Sequence, residues 1–257
     1  MRLPQVIALG GSLLRPEESE NRKIWFGKLR QLAVHIEGNS RKLGIVVGGG
    51  LPAREGIELA KNLVSDPDCL DEVGIAATRL NATIIQQILL EIGCNVAPMI
   101  PHTTEGAAEY FTDYNIVIMG GTKPGHTTDA VAVSLARDCS ATDCIIATNV
   151  SHIYDTDPRT NENAKPFFEM TIDQLVEICG TERLAPGQSA VVDPIAVSIA
   201  AKNNINIAVL DGREIDLIEH ALDGKGFEGT LVRSLRSLFR QGHVQLNRFP
   251  CRLKPRY

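Results

Sequence analysis

Glycine clusters follow three short apolar runs of the sequence, at residues 10–11, 48–50 and 120–121. Glycine lets backbone N–H groups come close to phosphate oxygens, and the N-terminus of a following helix adds positive charge. One such cluster is weak evidence, because a tight turn between a strand and a helix needs the same residues. Three clusters in the same setting predict a binding site for a ligand with several phosphates.

Two better-known phosphate motifs fit the sequence poorly. Gly48, Gly50 and Ala53 match the G-x-G-x-x-A pattern of dinucleotide sites. However, they follow the second apolar run, whereas that pattern normally opens the first βαβ unit, and Pro52 and Arg54 crowd the turn. A P-loop also needs Lys and then Ser or Thr after its last glycine, which this chain lacks. The P-loop kinase class is therefore disfavoured.

Apolar runs alternate with helical periodicity, which predicts an α/β fold with a mostly parallel sheet covered by helices. The predicted strands are residues 6–9, 43–47, 96–100, 116–119, 144–147, 205–209 and 229–232. The predicted helices are residues 24–36, a segment from about 52, and residues 73–92, 127–137, 172–179, 195–201 and 215–222. Residues 154–166 are polar and rich in turn formers. Since parallel strands end at one edge of a sheet, we expect the glycine clusters to face one site.

Composition and charge bound the class of protein and its organisation. The chain has 257 residues, 44% hydrophobic and 22% charged, which excludes a disordered, collagenous or coiled-coil chain. Residues 233–257 carry seven Lys or Arg and no acidic residue, so residues 1–232 have 19 basic and 31 acidic residues, a net charge of −12. An acidic body argues against a general nucleic-acid binder. We predict one domain, residues 1–232, with lobes at about 1–140 and 141–232.

The basic extension, residues 233–257, has two interpretations. It is a disordered extension without function, or an arm that docks on an acidic neighbouring subunit or on RNA.

The six cysteines are scattered without a C-x-x-C pair, which indicates reduced thiols and no zinc site. With no signal-peptide pattern and no membrane-spanning apolar run, we expect a cytoplasmic protein without membrane contact.

Five strings of the sequence resemble a known family. They are GGS at residues 10–12, GGG at 48–50 followed by Ala53 and Arg54, DEVGIAATRLNA at 71–82, MGGTKPGHTTDAVA at 119–132 and ATNVSHIYDTDP at 147–158. They resemble the amino-acid-kinase superfamily and, within it, the archaeal-type uridylate (UMP) kinases. The resemblance implies a single-domain three-layer αβα sandwich. It also implies transfer of phosphate from ATP to UMP, giving ADP and UDP, in pyrimidine nucleotide biosynthesis, and a homohexamer built as a trimer of dimers.

The resemblance also implies roles for individual residues. UMP would meet Gly49, Asp71, Thr122, Lys123, Pro124, Gly125, His126, Thr127 and Thr128. ATP would meet Gly10, Gly11, Ser12, Gly50, Arg54, Thr148, Asn149, Tyr154 and Asp157. The catalytic residues would be Arg54, Lys123 and Asp129. Asp71 would hold the ribose hydroxyls, and Mg²⁺ would arrive on the nucleotide phosphates, with no protein ligand assigned.

The chemistry implied by this resemblance needs cations more than a general base. A phosphate monoester, whose second pKa is about 6, is already a nucleophile at neutral pH. Candidate cations are Arg54, Lys123, Arg79 and His126. Two simpler interpretations stay open: Arg54 and Lys123 are solvated surface residues, and Asp71 and Asp129 are helix N-caps.

Four positions depart from the family pattern. Ala8 and Ser198 stand where relatives often have Lys, and Ser151-His152 stands where Asp-Gly is usual. A histidine at a position that needs positive φ would be strained. Two alternatives therefore remain: a kinase for a small carboxylate or carbamate, and a nucleotide-binding protein of the same fold without catalysis.

Overall fold

The computed structural model describes residues 3–15, 19–156, 158, 160–179 and 192–234. The strands are β1 (Gln5–Leu9), β2 (Leu43–Val47), β3 (Ile116–Met119), β4 (Asp143–Thr148), β5 (Ile153–Tyr154), β6 (Pro166–Phe167), β7 (Glu169–Thr171), β8 (Asn206–Asp211) and β9 (Gly229–Arg233). The helices are α1 (Ser19–Gly38), α2 (Gly50–Ala60), α3 (Pro67–Glu91), α4 (Thr104–Tyr110), α5 (Thr128–Asp138), α6 (Ile172–Cys179), α7 (Pro194–Asn203) and α8 (Ile215–Leu222). A 3₁₀ turn, Gly11–Leu14, follows β1.

Seven strands form one sheet in the order β3-β2-β1-β4-β8-β9-β7. The neighbours from β3 to β8 are all parallel, whereas β9 runs antiparallel to β8. The carboxyl ends of β3, β2, β1, β4 and β8 therefore lie in that order along one edge. The short strands β5 and β6 pair separately as a hairpin.

Alternate residues of each central strand face opposite sides of the sheet. In β1, Val6 and Ala8 join a core cluster with α4, α5, α6 and α7, whereas Ile7 and Leu9 join a second cluster with α1, α3 and α8. Both faces of the parallel strands are thus buried, which explains their continuous apolar runs. The predicted three-layer αβα sandwich is confirmed.

The predicted strand at residues 96–100 is wrong. This segment makes a single parallel bridge, Val96 to Ile116, and the Ala97 N–H donates to the Ile116 carbonyl at 2.9 Å. Pro98 and Pro101 lack an N–H group, so the ladder cannot continue along this segment. Helix α4 and the pairing of β5 with β6 were not predicted, because both are short and have weak apolar periodicity.

Helix α3 positions much of the edge described below. It begins at Pro67, where the Asp66 carboxylate accepts from the Asp68 N–H at 3.0 Å, earlier than the apolar pattern indicates. By length and composition alone it could cross a membrane. However, Ile85 and Leu89 are completely buried in the core of the sandwich, so α3 occupies the position of a core helix.

Candidate active site

Glycines at the ends of β1 and β2 bring the two loops into backbone contact. A Cβ on Gly11 would lie 2.2 Å from the Gly50 nitrogen and 2.5 Å from the Gly48 oxygen. Gly50 has a φ of +60°, and a Cβ there would lie 2.5 Å from the Gly11 carbonyl. These positions exclude side chains, so residues 10–12 and 48–50 form one backbone surface, here named the glycine cradle.

Helix α2 starts at the glycine cradle. Its N-cap is Gly49, which has no side chain to accept hydrogen bonds from the first turn. The N–H groups of a first helical turn have no intrahelical partner, and the helix dipole gives them positive character. The cradle therefore presents backbone donors suited to phosphate oxygens, as the glycine clusters predict.

A stripe of small and polar residues on α3 faces the strand ends. Asp71, Gly74, Thr78 and Asn81 follow each other at helical spacings of three or four residues. Asn81 is completely buried, and its Nδ2 donates to the carbonyls of Gly48 and Gly49 at 2.7 and 2.9 Å. One side of α3 thus holds the glycine cradle in place.

The same stripe holds the loop after β3. The Gly121 N–H donates to Thr78 Oγ1 at 2.6 Å, and the Gly125 N–H donates to Asp71 Oδ2 at 2.7 Å. Gly125 has a φ of +80°, which a residue with a side chain rarely adopts. Residues 120–128, here named the β3 loop, therefore fold over α3 beside the cradle. The predicted set from Thr122 to Thr128 lies in this loop, next to Asp71.

Residues on the other side of the cradle follow β4. The Gly10 N–H donates to the Ala147 carbonyl at 2.9 Å, which ties the cradle to this strand. Thr148 ends β4, and its carbonyl accepts from the Gly212 N–H at 2.7 Å. Tyr154 ends the short strand β5 beyond, and its hydroxyl lies 3.0 Å from Ser151 Oγ. Of the residues predicted to meet ATP, Asp157 lies outside the described residues.

The N-caps at this edge differ from the interpretation left open above. Thr127 caps α5 by accepting from the Ala130 N–H, and Asp66 caps α3. Asp129 lies inside the first turn of α5, and Asp71 lies in the second turn of α3. Neither acidic residue is an N-cap, so the capping interpretation of both is wrong.

The four side chains predicted as candidate cations differ in how far they are exposed to solvent. Arg54 on α2 and Lys123 in the β3 loop are exposed. Arg79 is half-buried, and its Nε is buried without a hydrogen-bond partner within the described part of the chain. His126 lies half-buried in the β3 loop. The catalytic roles of Arg54 and Lys123 therefore stay predictions.

Asp129 has an unusual environment. Burial and the nearby Asp193 carboxylate raise the pKa of Asp129 to about 7. Asp193 caps α7 through the N–H groups of Ile195 and Ala196, at 2.7 and 3.0 Å. Two acidic residues at neighbouring helix N-termini therefore share one end of the sandwich. Asp129 therefore binds a proton more readily than an ordinary aspartate, although a hydrogen bond from the Asp193 backbone opposes this effect.

His152 and Ala8, two of the positions that depart from the family pattern, have simple structural settings. His152 does not have positive φ, so the strain expected of a histidine here is absent. Its ring is buried edge-to-face against Tyr154 and Phe168, and burial lowers its pKa, with partial opposition from Glu228. Ala8 is buried in β1, at 2% exposure, and cannot supply a charge.

The strand order places the glycine cradle between two loop systems at one edge of the sheet, an arrangement that suits a phosphotransferase. The sequence pattern of the amino acid kinase family matches residues 4–211, and the chain belongs to that family. It is 36% identical over 233 residues to the uridylate kinase of Methanococcus vannielii, covering 88% of this chain and 98% of that relative. It is 38% identical over 214 residues to the uridylate kinase of Methanocaldococcus jannaschii, covering 83% and 92%.

A solved structure supports the same grouping. The crystal structure of the uridylate kinase from Archaeoglobus fulgidus superposes with a TM-score of 0.74 and is 34% identical. The match covers 90% of this chain and all of that chain. The resemblance seen in the sequence strings and the fold seen in the structure therefore agree.

Three residues that position the site were not singled out from the sequence: Arg15, Thr78 and Asn81. The signal for Thr78 and Asn81 was present, because a polar stripe on an otherwise apolar core helix is unusual. Arg15 had no such signal, since only the folded chain brings it to Asn81, where its Nη1 donates to Oδ1 at 2.8 Å.

Proposed function

We propose that this protein is a nucleoside monophosphate kinase that transfers the terminal phosphate of ATP to UMP, giving ADP and UDP. The observation that carries the proposal is the order of loops along the edge: the β3 loop, the glycine cradle, then the loop after β4. A site on each side of a shared phosphate surface suits a reaction between two nucleotides. The uridylate kinase relatives support UMP as the acceptor and ATP as the donor.

The residues at this edge suit phosphoryl transfer without a general base. The acceptor phosphate carries a nucleophilic oxygen at neutral pH, because its second pKa is about 6. The protein then has to align donor and acceptor and to neutralise oxygen charge. Backbone N–H groups of the cradle and of α2 contribute to this neutralisation. On the acceptor side, we propose that Asp71 accepts hydrogen bonds from the ribose hydroxyls in addition to the Gly125 N–H.

Magnesium would enter with the ATP phosphates and neutralise charge on their oxygens. The acidic residues of this edge fit an ion that is held mainly by the nucleotide phosphates better than an ion that is held by protein ligands alone. Asp71 is engaged by the β3 loop, Asp193 caps α7, and Asp129 lies beside Asp193 with a raised pKa, so we assign no protein ligand to the ion. We include Mg²⁺ in the proposal on this chemical ground.

The acceptor is tested with a coupled assay of ADP release. Wild-type protein with ATP and Mg²⁺ is given UMP, CMP, AMP or N-acetylglutamate in parallel. We expect turnover with UMP to exceed that with each of the others. Equal turnover, or preference for the carboxylate acceptor, would reject the UMP assignment. Tight ATP binding without ADP release would instead indicate the non-catalytic alternative.

Two further parts of the proposal concern the cell and the assembly. We propose a cytoplasmic enzyme of pyrimidine nucleotide biosynthesis that forms a homohexamer. Helix α2 buries no residue in the single chain, and Leu59 and Leu63 are 82% and 89% exposed, which favours a covering subunit. Light scattering of the purified protein tests the assembly, and a monomer would reject it.

A further inference from the structure

The glycine cradle contains no charged side chain. Residues 10–12 and 48–50 are Gly, Ser and Gly only, and the strand residue Ala8 below them is buried and apolar. The transferred phosphoryl group carries charge on its oxygens, which in known phosphoryl-transfer sites is balanced by cations as well as by backbone donors. Within the described residues, the cation that hydrogen-bonds to the cradle's own support is Arg15.

Arg15 lies directly after the 3₁₀ turn that follows β1. It is half-buried, and its backbone N–H donates to the Ser12 carbonyl at 3.3 Å. Its Nη1 donates to Asn81 Oδ1 at 2.8 Å. The guanidinium group is therefore held at a fixed place between the first loop of the cradle and helix α3.

Asn81 connects Arg15 to the second loop of the cradle. Its Nδ2 uses both protons on the carbonyls of Gly48 and Gly49, which fixes which way the buried amide faces. The remaining acceptor, Oδ1, then needs a donor, because an unsatisfied buried oxygen is costly. Arg15 satisfies it with one of five N–H donors. The other donors of Arg15 have no partner among the residues that the structure describes.

We propose that Arg15 is a phosphate-binding residue of this site, held against the glycine cradle by Asn81 and donating its free N–H groups to nucleotide phosphate oxygens. This inference rests on the proposed function, since it gives the cradle the side-chain cation that its own residues lack. Guanidinium suits the role because its planar donors match phosphate oxygens and its charge is permanent.

The proposal is tested by comparing R15Q, R15K and the control R30Q. Arg30 is an exposed residue of α1, so R30Q removes the same charge from the surface. Titration calorimetry gives the affinity of each protein for ADP and for adenosine, and for UMP and for uridine. The coupled assay gives kcat and KM, and thermal melting shows whether each variant is folded.

We expect R15Q to weaken binding of ADP or UMP at least tenfold while adenosine and uridine bind as they do to wild type. We expect kcat/KM to fall at least tenfold, R15K to recover part of the loss, and R30Q to match wild type. If R15Q loses nucleoside and nucleotide affinity equally, Arg15 is structural only and the proposal is overturned. Nucleotide affinity in R15Q equal to that of R30Q overturns it as well.

Failure of this proposal and failure of the proposed function give different results. If wild type does not phosphorylate UMP, the function is rejected, while the comparison of ADP with adenosine still tests Arg15. If wild type phosphorylates UMP and R15Q is unchanged, the function stands and the Arg15 proposal is rejected. R15K provides a folded comparison if R15Q melts at a lower temperature.

Discussion

Single residues at the carboxyl edge of the sheet do three kinds of work. Gly11 and Gly50 let two loops touch, Asn81 fixes the carbonyls of Gly48 and Gly49, and the pKa of Asp129 is raised to about 7. Each role depends on how closely the chain packs around these residues. Substitutions that change one group in a packed contact therefore test the roles directly.

Gly50→Ala puts a methyl group into the contact between the two loops of the cradle. The new Cβ would overlap the Gly11 backbone, and φ at +60° is itself unfavourable for alanine. We expect the variant to unfold more easily by about 1–3 kcal/mol and to lose kinase activity. Urea unfolding and the coupled assay measure both effects. Gly27→Ala is the control, because a Cβ at that helical position meets nothing within 4 Å.

Asp129 makes the stability of the unliganded protein depend on pH. A free aspartate has a pKa of about 4, and that of Asp129 is about 7. Between these values the folded state binds the extra proton, so the free energy of unfolding falls as pH rises. We expect Asp129→Asn to remove this fall and to gain about 1–3 kcal/mol near pH 8. Urea unfolding at several pH values checks it, with exposed Glu177→Gln as control; equal pH profiles for wild type and Asp129→Asn would refute it.

Helix α3 holds the glycine cradle and the β3 loop, the proposed acceptor side, because one face of it is polar. Four residues at helical spacing on this face contact the cradle or the β3 loop, while Ile85 and Leu89 pack in the core. A long helix with a rigid core face can hold two loops at fixed positions relative to each other. The β3 loop depends on it at two points, Thr78 and Asp71.

Thr78→Val separates the β3 loop from α3 with little change of shape. Valine keeps the methyl group of residue 78 that faces Gly49, which lies 3.5 Å from where a Cβ on Gly49 would be. It removes the hydroxyl oxygen that accepts the hydrogen bond from the Gly121 N–H. We expect the KM for UMP to rise about tenfold, the equivalent of one buried hydrogen bond, and the KM for ATP to change much less. Thr83→Val on the exposed side of α3 is the control. Equal effects on both KM values would show that Thr78 supports the whole edge instead.

In the molecule as a whole, the candidate site lies at the carboxyl edge of the sheet, and a buried hydrogen-bond network that stabilises the fold lies at the amino edge. At the amino edge, opposite the candidate site, buried Arg41 donates to Gln5, to the Leu222 carbonyl and to Asp223. Burial raises the pKa of Asp223, but hydrogen bonds from Lys225, Arg41 and His35 lower it by more, well below the usual range. The grouping of His35, Glu219 and Asp223 resembles a metal site, yet Asp223 is already paired with cations.

Arg41→Met breaks this network and leaves buried acceptors unpaired. We expect the free energy of unfolding to fall by about 2–4 kcal/mol at neutral pH, with the KM values of the folded enzyme unchanged because the network lies far from the cradle. Lys28→Met removes an exposed ion pair with Asp216 and should cost less than about 1 kcal/mol. Urea unfolding compares the two variants. A loss from Arg41→Met as small as that from Lys28→Met would contradict the assignment.

The basic extension begins inside the last strand. Arg233 closes β9, where it is buried and pairs with Glu169, and the Ser234 N–H donates to Asn206 Oδ1 at 2.9 Å. A truncation that keeps the strand intact therefore has to follow Ser234. The remainder of the predicted extension, residues 235–257, lies outside the described residues, and so does Cys251. The five described cysteines are free, in agreement with their scattered spacing.

The alternation of apolar runs, glycine clusters and helical stripes was enough to predict a mostly parallel sheet covered by helices and a site at its carboxyl edge, whereas the αβα sandwich was implied by the family resemblance. Both follow from local physics: parallel strands buried on two faces must be apolar, and phosphate loops need glycine. Helices α6 and α8 match their predicted bounds. The segment at 96–100 failed because prolines stop a ladder that its apolar residues alone would favour.

Contacts between distant segments decided the rest. Arg15 and Asn81 are 66 residues apart, and no spacing rule brings a loop arginine to a helix asparagine. The closeness of Gly11 to Gly50 and the raised pKa of Asp129 likewise depend on packing and desolvation, which exist only once the chain is folded. Residue types and their order therefore indicate which chemistry is available here, whereas the packed sandwich determines which groups meet and in which protonation state.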